Sequence, residues 1–144
     1  MYRKNAWEKY NDNFDEIMKF ADEYKKFLSF GKTERLVAKE SIELLEKAGY
    51  RNGENLSSLK AGDRVYFVNK NKNVAAFIVG EKPLTDGLRI LGAHIDSPRL
   101  DLKESPIYEK NGFALGDTHY YGGVKKYQYV TIPLALHGVV CKKD

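Results

Sequence analysis

In Leu88-Arg-Ile-Leu-Gly-Ala-His-Ile-Asp-Ser-Pro98 an apolar run delivers a histidine and then, two residues on, an aspartate. The apolar residues predict a β-strand over 88–94. Side chains alternate between the faces of a strand, so His94 and Asp96 are expected on one face. A metal-bound imidazole needs its other ring nitrogen held by an acceptor, commonly a carboxylate, which selects the tautomer and makes the ligating nitrogen a better donor. Open α/β sheets hold their ligands outside the carboxyl ends of the strands. Ser97-Pro98 ends the strand there, because proline has no N–H for a ladder. His94 is therefore the candidate metal ligand and Asp96 the carboxylate that orients it. The structural alternative is a strand-end histidine that does no more than bond to Asp96.

Upstream of this stretch the pattern is helical and then β. From Ala6 to Phe30 the residues Trp7, Tyr10, Phe14, Ile17, Ala21, Tyr24 and Leu28 recur in steps of three and four. That spacing predicts one long amphipathic helix whose aromatic stripe covers a sheet or a neighbouring subunit. Gly31 ends it. Thr33 is placed to cap a second helix through Leu36, Val37, Leu44, Leu45 and Ala48, with Gly49 as its left-handed stop. Arg51 to Ser58 is polar, with Asn52-Gly53 as a turn. Arg64–Val68 and Asn73–Val79 predict a β-hairpin, the second strand buried on both faces because its apolar residues are consecutive. With the strand at 88–94, three strands and outer helices predict an α/β fold, the start of an α/β/α sandwich.

Beyond Pro98 the texture changes. Leu100 and Leu102 alternate with charges, Ser105-Pro106 and Asn111-Gly112 read as turns, and helical periodicity disappears, so the tail is expected to be all-β. The run Leu134-Ala-Leu-His-Gly-Val-Val140 resembles a strand awaiting a partner, which predicts that residues 100–144 are poorly ordered alone or paired to another chain.

Composition sets outer limits. The chain has 144 residues, 42% of them hydrophobic, the size and character of one globular domain. No apolar run approaches the ~20 residues that span a bilayer, and Met1 to Glu8 has no apolar leader segment. The single cysteine, Cys141, forms no internal disulfide and is expected as a small buried apolar residue. These features are read as those of a cytoplasmic protein with no membrane partner. The net charge of +4 comes from interspersed signs. Lys125-Lys126-Tyr127-Gln128-Tyr129 is the one basic aromatic cluster, and two lysines are too few for a phosphate track, so no nucleic-acid partner is expected. Serine chemistry is set aside because Ser97 lacks a Gly-x-Ser-x-Gly elbow, and no glycine-rich phosphate loop is present.

His119 and His137 lack comparable partners in sequence. His119 is expected as an exposed loop residue and His137 as a hydrogen-bonded core or strand residue. Asp101 and Lys103 are expected as an exposed strand pair, and Arg99 at the mouth of the site.

Two longer strings carry more than the three-residue pattern. Ala93-His-Ile-Asp-Ser-Pro-Arg-Leu-Asp-Leu-Lys103, followed by Tyr120-Tyr-Gly-Gly-Val-Lys-Lys-Tyr-Gln-Tyr129, resembles the aspartyl aminopeptidase and vacuolar aminopeptidase I family of zinc exopeptidases. The first string matches that family's His-Thr-Asp-Ser-Pro, and the second its Tyr-Gly-Gly-Gly, with Tyr129 where the family usually has Trp and Gly138 on a family glycine. The resemblance is strong over roughly the last third of the chain. It implies that His94 is one zinc ligand and that Asp96 is a catalytic-site carboxylate. It also implies two zinc ions per complete site, peptide substrates cut at their N-terminal residue, and a homo-oligomer. The other ligands and the general base of the family lie downstream of the matched stretch, so the chain is expected to be an N-terminal portion, inactive in isolation. Residues 1–99 are then part of the catalytic α/β domain and 100–144 the beginning of an inserted β-rich dimerisation domain. Where the family has Phe-Asp-Arg-Asp-Leu, this chain has Val130-Thr-Ile-Pro-Leu134, so the preference for acidic N-terminal residues is not carried over. The alternative from another class is a catalytically inactive assembly module of the same fold.

Overall fold

Helices precede any strand, as the periodicity predicts. The computed structural model describes residues 3–143. Met1 and Tyr2, in the polar N-terminus read above, and Asp144, in the tail, lie outside the described residues. The α/β chain divides into two units, one running to Arg89 and one beginning at Ile90.

In the first unit, the single helix expected from Ala6 to Phe30 is broken. It consists of α1 (Ala6–Lys9), a 3-10 turn (Asn11–Asn13) and α2 (Phe14–Phe30). Asn5 starts α1 by accepting from the Glu8 amide at 2.9 Å, and Tyr10 leaves helical geometry at φ −114° and ψ 24°. The run Asn11-Asp12-Asn13 supplies the reason: short polar side chains compete with the helix for backbone groups. Gly31 closes α2, its amide bonded to the Phe27 carbonyl at 2.9 Å. A Cβ there would lie 2.6 Å from Cγ2 of Val37, so only glycine lets the chain fold back onto the next helix.

That helix, α3 (Glu34–Lys47), begins where Thr33 accepts from the Leu36 amide at 3.3 Å and ends at Gly49, at φ +84°. Both signals are those expected. It packs on the strands β2 (Arg64–Asn69) and β3 (Asn73–Ile78), which form the predicted antiparallel hairpin. Val37 and Ala38 of α3 and Val65 and Tyr66 of β2 are buried, Val65 completely. Full burial of such a side chain contributes about 1.5–3 kcal/mol. The Tyr66 hydroxyl leaves this core by donating to Oε1 of Glu46 at 2.6 Å. A short strand not foreseen in the sequence, β1 (Arg51–Asn52), runs parallel to β2 and gives the order β1-β2-β3. Gly53 follows it beneath the Phe67 ring, where a Cβ would come within 2.3 Å of Cζ.

A second expectation fails in this unit. β3 is not buried on both faces: Phe77 and Ile78 are exposed, because β3 is the edge of its sheet. No α2 residue is buried within this chain, although α2 packs against α3.

The strand expected over 88–94, which straddles the division at Arg89, is absent. Residues 88–98 run without a ladder partner among the described residues, and Ile90 and Leu91 are exposed. A strand is defined by its partner's hydrogen bonds, which an apolar run does not itself provide. The all-β expectation for the tail holds only as far as residue 121: β4 (Arg99–Lys110) and β5 (Phe113–Tyr121) form an antiparallel hairpin joined by Asn111-Gly112, both at positive φ. Asn-Gly is the favoured pair for this two-residue turn. Ser105-Pro106 is not a turn but the place where the register shifts between Leu102 and Ile107 within β4, the irregularity that proline forces on a ladder. Residues 99–121, expected to be poorly ordered alone or paired to another chain, pair with each other within this one. A short helix, α4 (Lys126–Tyr129), follows, and Leu134–Val140 forms no strand. No helix among the described residues is long and apolar enough to cross a membrane.

Candidate metal centre

His94 and Asp96 meet even though the strand that was to align them is missing. Nδ1 of His94 lies 3.0 Å from Oδ1 of Asp96 and 3.0 Å from the Asp96 backbone carbonyl. Both partners are acceptors, so Nδ1 carries the proton and donates, and Nε2 is the nitrogen with a lone pair. The ring is 83% exposed, which leaves Nε2 open to a ligand. This is the arrangement a zinc-binding histidine requires.

The other oxygen of the carboxylate is also taken. Tyr121, at the end of β5, donates its hydroxyl to Oδ2 of Asp96 at 2.6 Å. That bond is the main reason the Asp96 carboxyl titrates below its ordinary range, followed by Asp96's own backbone amide and, more weakly, the His94 ring. Hydrogen bonds to the charged form favour it.

Behind Tyr121 stands a set of cross-strand pairs fixed by the β4–β5 register. Arg99 faces Tyr121, and its guanidinium lies 4.3 Å from the centre of the tyrosine ring. Arg99 is held in turn by Oδ1 of Asp101 at 2.8 Å and the Ser97 carbonyl at 3.1 Å. Asp101 faces His119, with 3.9 Å between Oδ2 and Nε2. Lys103 pairs with Asp117 at 3.0 Å. The end of β5 is brought onto residue 98 by Gly122, at φ +71°, where a Cβ would sit 3.3 Å from Cγ of Pro98. The glycine after Tyr121 thus allows both the turn and the approach.

Several sequence expectations are corrected here. His119 lies in a strand, opposite Asp101, not in a loop. Asp101 and Lys103 do not pair with each other but with Arg99 and Asp117. His137 and Cys141 are exposed in an irregular segment; without a partner strand, nothing buries them. Arg99 acts on Tyr121 from the neighbouring strand. Tyr121 itself was missed as a member of the site, although its sequence signal, a tyrosine directly before two glycines, was present.

One histidine and one orienting carboxylate fit a zinc ion as a single ligand. Among the described residues no group of three or more His, Cys, Asp or Glu is gathered to hold a metal, and a working zinc site takes three or more protein ligands. An open concavity of about 570 Å³ lies farther along the hairpin, lined by Leu102, Lys103, Glu104, Ser105, Asp117 and His119.

Comparison with known proteins gives these residues a context. Residues 27–144 match the model of the family described as aminopeptidase I zinc metalloprotease (M18). The chain is 53% identical to a probable M18 family aminopeptidase 1 of Clostridium acetobutylicum, over 98% of this chain and 31% of that protein. A probable M18 family aminopeptidase 1 of Thermotoga maritima is 44% identical, over 100% of this chain and 31% of its own length. Among solved structures, aminopeptidase I from Borrelia burgdorferi matches with a TM-score of 0.84 at 40% identity, over 90% of this chain and 32% of that one. Aminopeptidase I from Clostridium acetobutylicum matches with a TM-score of 0.81 at 47% identity, over 99% of this chain and 33% of that one. The chain spans about a third of the length of these relatives.

Proposed function

The chain belongs to the aminopeptidase I zinc metalloprotease (M18) family, and from that premise we propose that it serves a zinc-dependent aminopeptidase, supplying one metal ligand to the hydrolysis of the N-terminal residue from peptides. The observation that carries this reading is the direction of His94: Nδ1 donates to Asp96, and Nε2 is left exposed. Zinc, when bound, polarises a scissile carbonyl and makes its water acidic enough to supply hydroxide near neutral pH. The part of this chain is narrower. Asp96 holds the proton on Nδ1 and fixes the ring, and His94 offers the Nε2 lone pair. The remaining ligands and the general base are assigned to the other two thirds of the length that the relatives possess.

The same reading extends to two metal ions per complete site, a cytoplasmic homo-oligomer, residues 1–99 in the catalytic domain and 100–144 opening a dimerisation domain. In protein expressed from the native coding sequence, His94→Ala should abolish metal-dependent cleavage of an aminoacyl chromogenic substrate. Retained cleavage would refute the ligand assignment.

An inactive assembly module is the second reading. It is favoured by the lack of a three-ligand group among the described residues and by the exposed apolar side chains on α2 and over residues 134–140. Stoichiometric zinc in the purified protein argues against it, and a monomer in size-exclusion chromatography removes its assembly role.

A further inference from the structure

Tyr121 reaches Asp96 from 25 residues away, whereas His94 and Asp96 are near neighbours in an irregular segment. The local pair has little to hold it. The His94 ring is 83% exposed, no ladder fixes the backbone of residues 88–98, and a carboxylate turns readily about its Cβ–Cγ bond, whose torsional wells are broad. An orienting carboxylate that itself rotates does not orient.

We propose that Tyr121 is a positioning residue for the metal ligand: its hydroxyl takes Oδ2 of Asp96, confines Oδ1 to the Nδ1–H of His94, and so sets the direction in which Nε2 faces. This deepens, and rests on, the reading of His94 as a zinc ligand. The hydroxyl has one proton and gives it to Asp96, so Asp96 remains an acceptor towards the imidazole and the tautomer with a bare Nε2 is the one retained. Tyr121 is fit for this because its own place is determined from three sides. The register sets it opposite Arg99. The Arg99 guanidinium, held by Asp101 and the Ser97 carbonyl, lies against its ring. Gly122 packs on Pro98, so residues 96–98 are clipped to the end of β5 at two points, Asp96 to Tyr121 and Pro98 to Gly122. The hairpin thereby supplies the rigidity that the histidine segment lacks, which is the service an outer partner renders to a metal ligand.

The test uses protein expressed from the native coding sequence, with zinc chloride as the probe in competition with a chromophoric chelator. Side-chain ¹⁵N spectra of His94 are recorded on the metal-free protein. Tyr121→Phe keeps the ring and its stacking on Arg99 and removes only the hydroxyl. It is expected to weaken zinc binding about 10–100-fold, to move the His94 nitrogens from a fixed Nδ1–H tautomer to an averaged one, and to leave the far-UV melting curve unchanged. Zinc affinity within twofold of the unsubstituted protein, with an unaltered imidazole spectrum, would overturn the proposal. A tyrosine serving the hairpin alone would shift the melt and not the spectrum, which overturns it equally. Should the Phe variant not fold, the spectrum of the unsubstituted protein still decides: absence of the Nδ1–H tautomer refutes the proposal. His94→Ala separates the two levels. Loss of one zinc equivalent upholds the ligand reading whatever Tyr121→Phe does, and unchanged zinc content defeats that reading itself.

Discussion

The two units hold their shape by different means. Up to Arg89 order comes from a small apolar core, in which α3 lies on the β2–β3 hairpin and Val37, Ala38, Val65 and Tyr66 are removed from water. From Ile90 onward none of the described residues is buried, and order comes from the β4–β5 ladder and the polar pairs laid across it. The candidate metal ligand belongs to the second kind of region. Its aim depends on hydrogen bonds and register, which are directional and individually weak in water, while the core of the first unit depends on burial, which is non-directional and stronger. A side chain that must present one nitrogen in one direction is better served by the directional means.

Substitutions in the two units should therefore differ sharply in cost. The largest effect is expected from Val65→Asp, which puts an unpaired charge at a completely buried position. Such a change costs more than about 4 kcal/mol, and loss of the cooperative urea transition of the first unit would register it. A transition within about 1 kcal/mol of the original would show that Val65 is not a core residue.

Tyr66→Phe should cost about 1 kcal/mol, through the lost hydrogen bond to Glu46, and it carries a pH signature. The bond to the Glu46 carboxylate, burial and the nearby negative charge all raise the Tyr66 pKa above its ordinary 10.0. A raised pKa favours the neutral hydroxyl in the folded state. Its contribution is therefore complete below pH 10.0 and is lost as pH climbs through the folded-state value. Thermal melts of the two proteins should differ at pH 7 and converge at strongly alkaline pH. A gap independent of pH would remove the Glu46 bond from the account.

The smallest effect is expected in the second unit. Lys103 and Asp117 are about half exposed, and Lys103→Ala should change stability by less than about 1 kcal/mol, by less still in high salt. A larger loss in a melt would mean that the polar pairs of the hairpin act as a core does, and the contrast between the units would collapse.

Much of the chain was readable in its residues because the determinants are local. Thr33 and Gly49 bound α3, Asn111-Gly112 turns the β4–β5 hairpin, and His94 and Asp96 are close enough along the chain to meet without a strand to align them. The longer strings around them carried the family, which needs residue identity and no geometry. Three-dimensional packing decided the rest. Whether residues 88–94 form a strand, and whether β3 is covered, depends on a partner supplying hydrogen bonds and apolar surface, and no periodicity within the segment contains that partner. Tyr121 lies beyond sequence spacing for the same reason: only the β4–β5 register and the approach of Gly122 to Pro98 bring a hydroxyl 25 residues away to Oδ2 of Asp96.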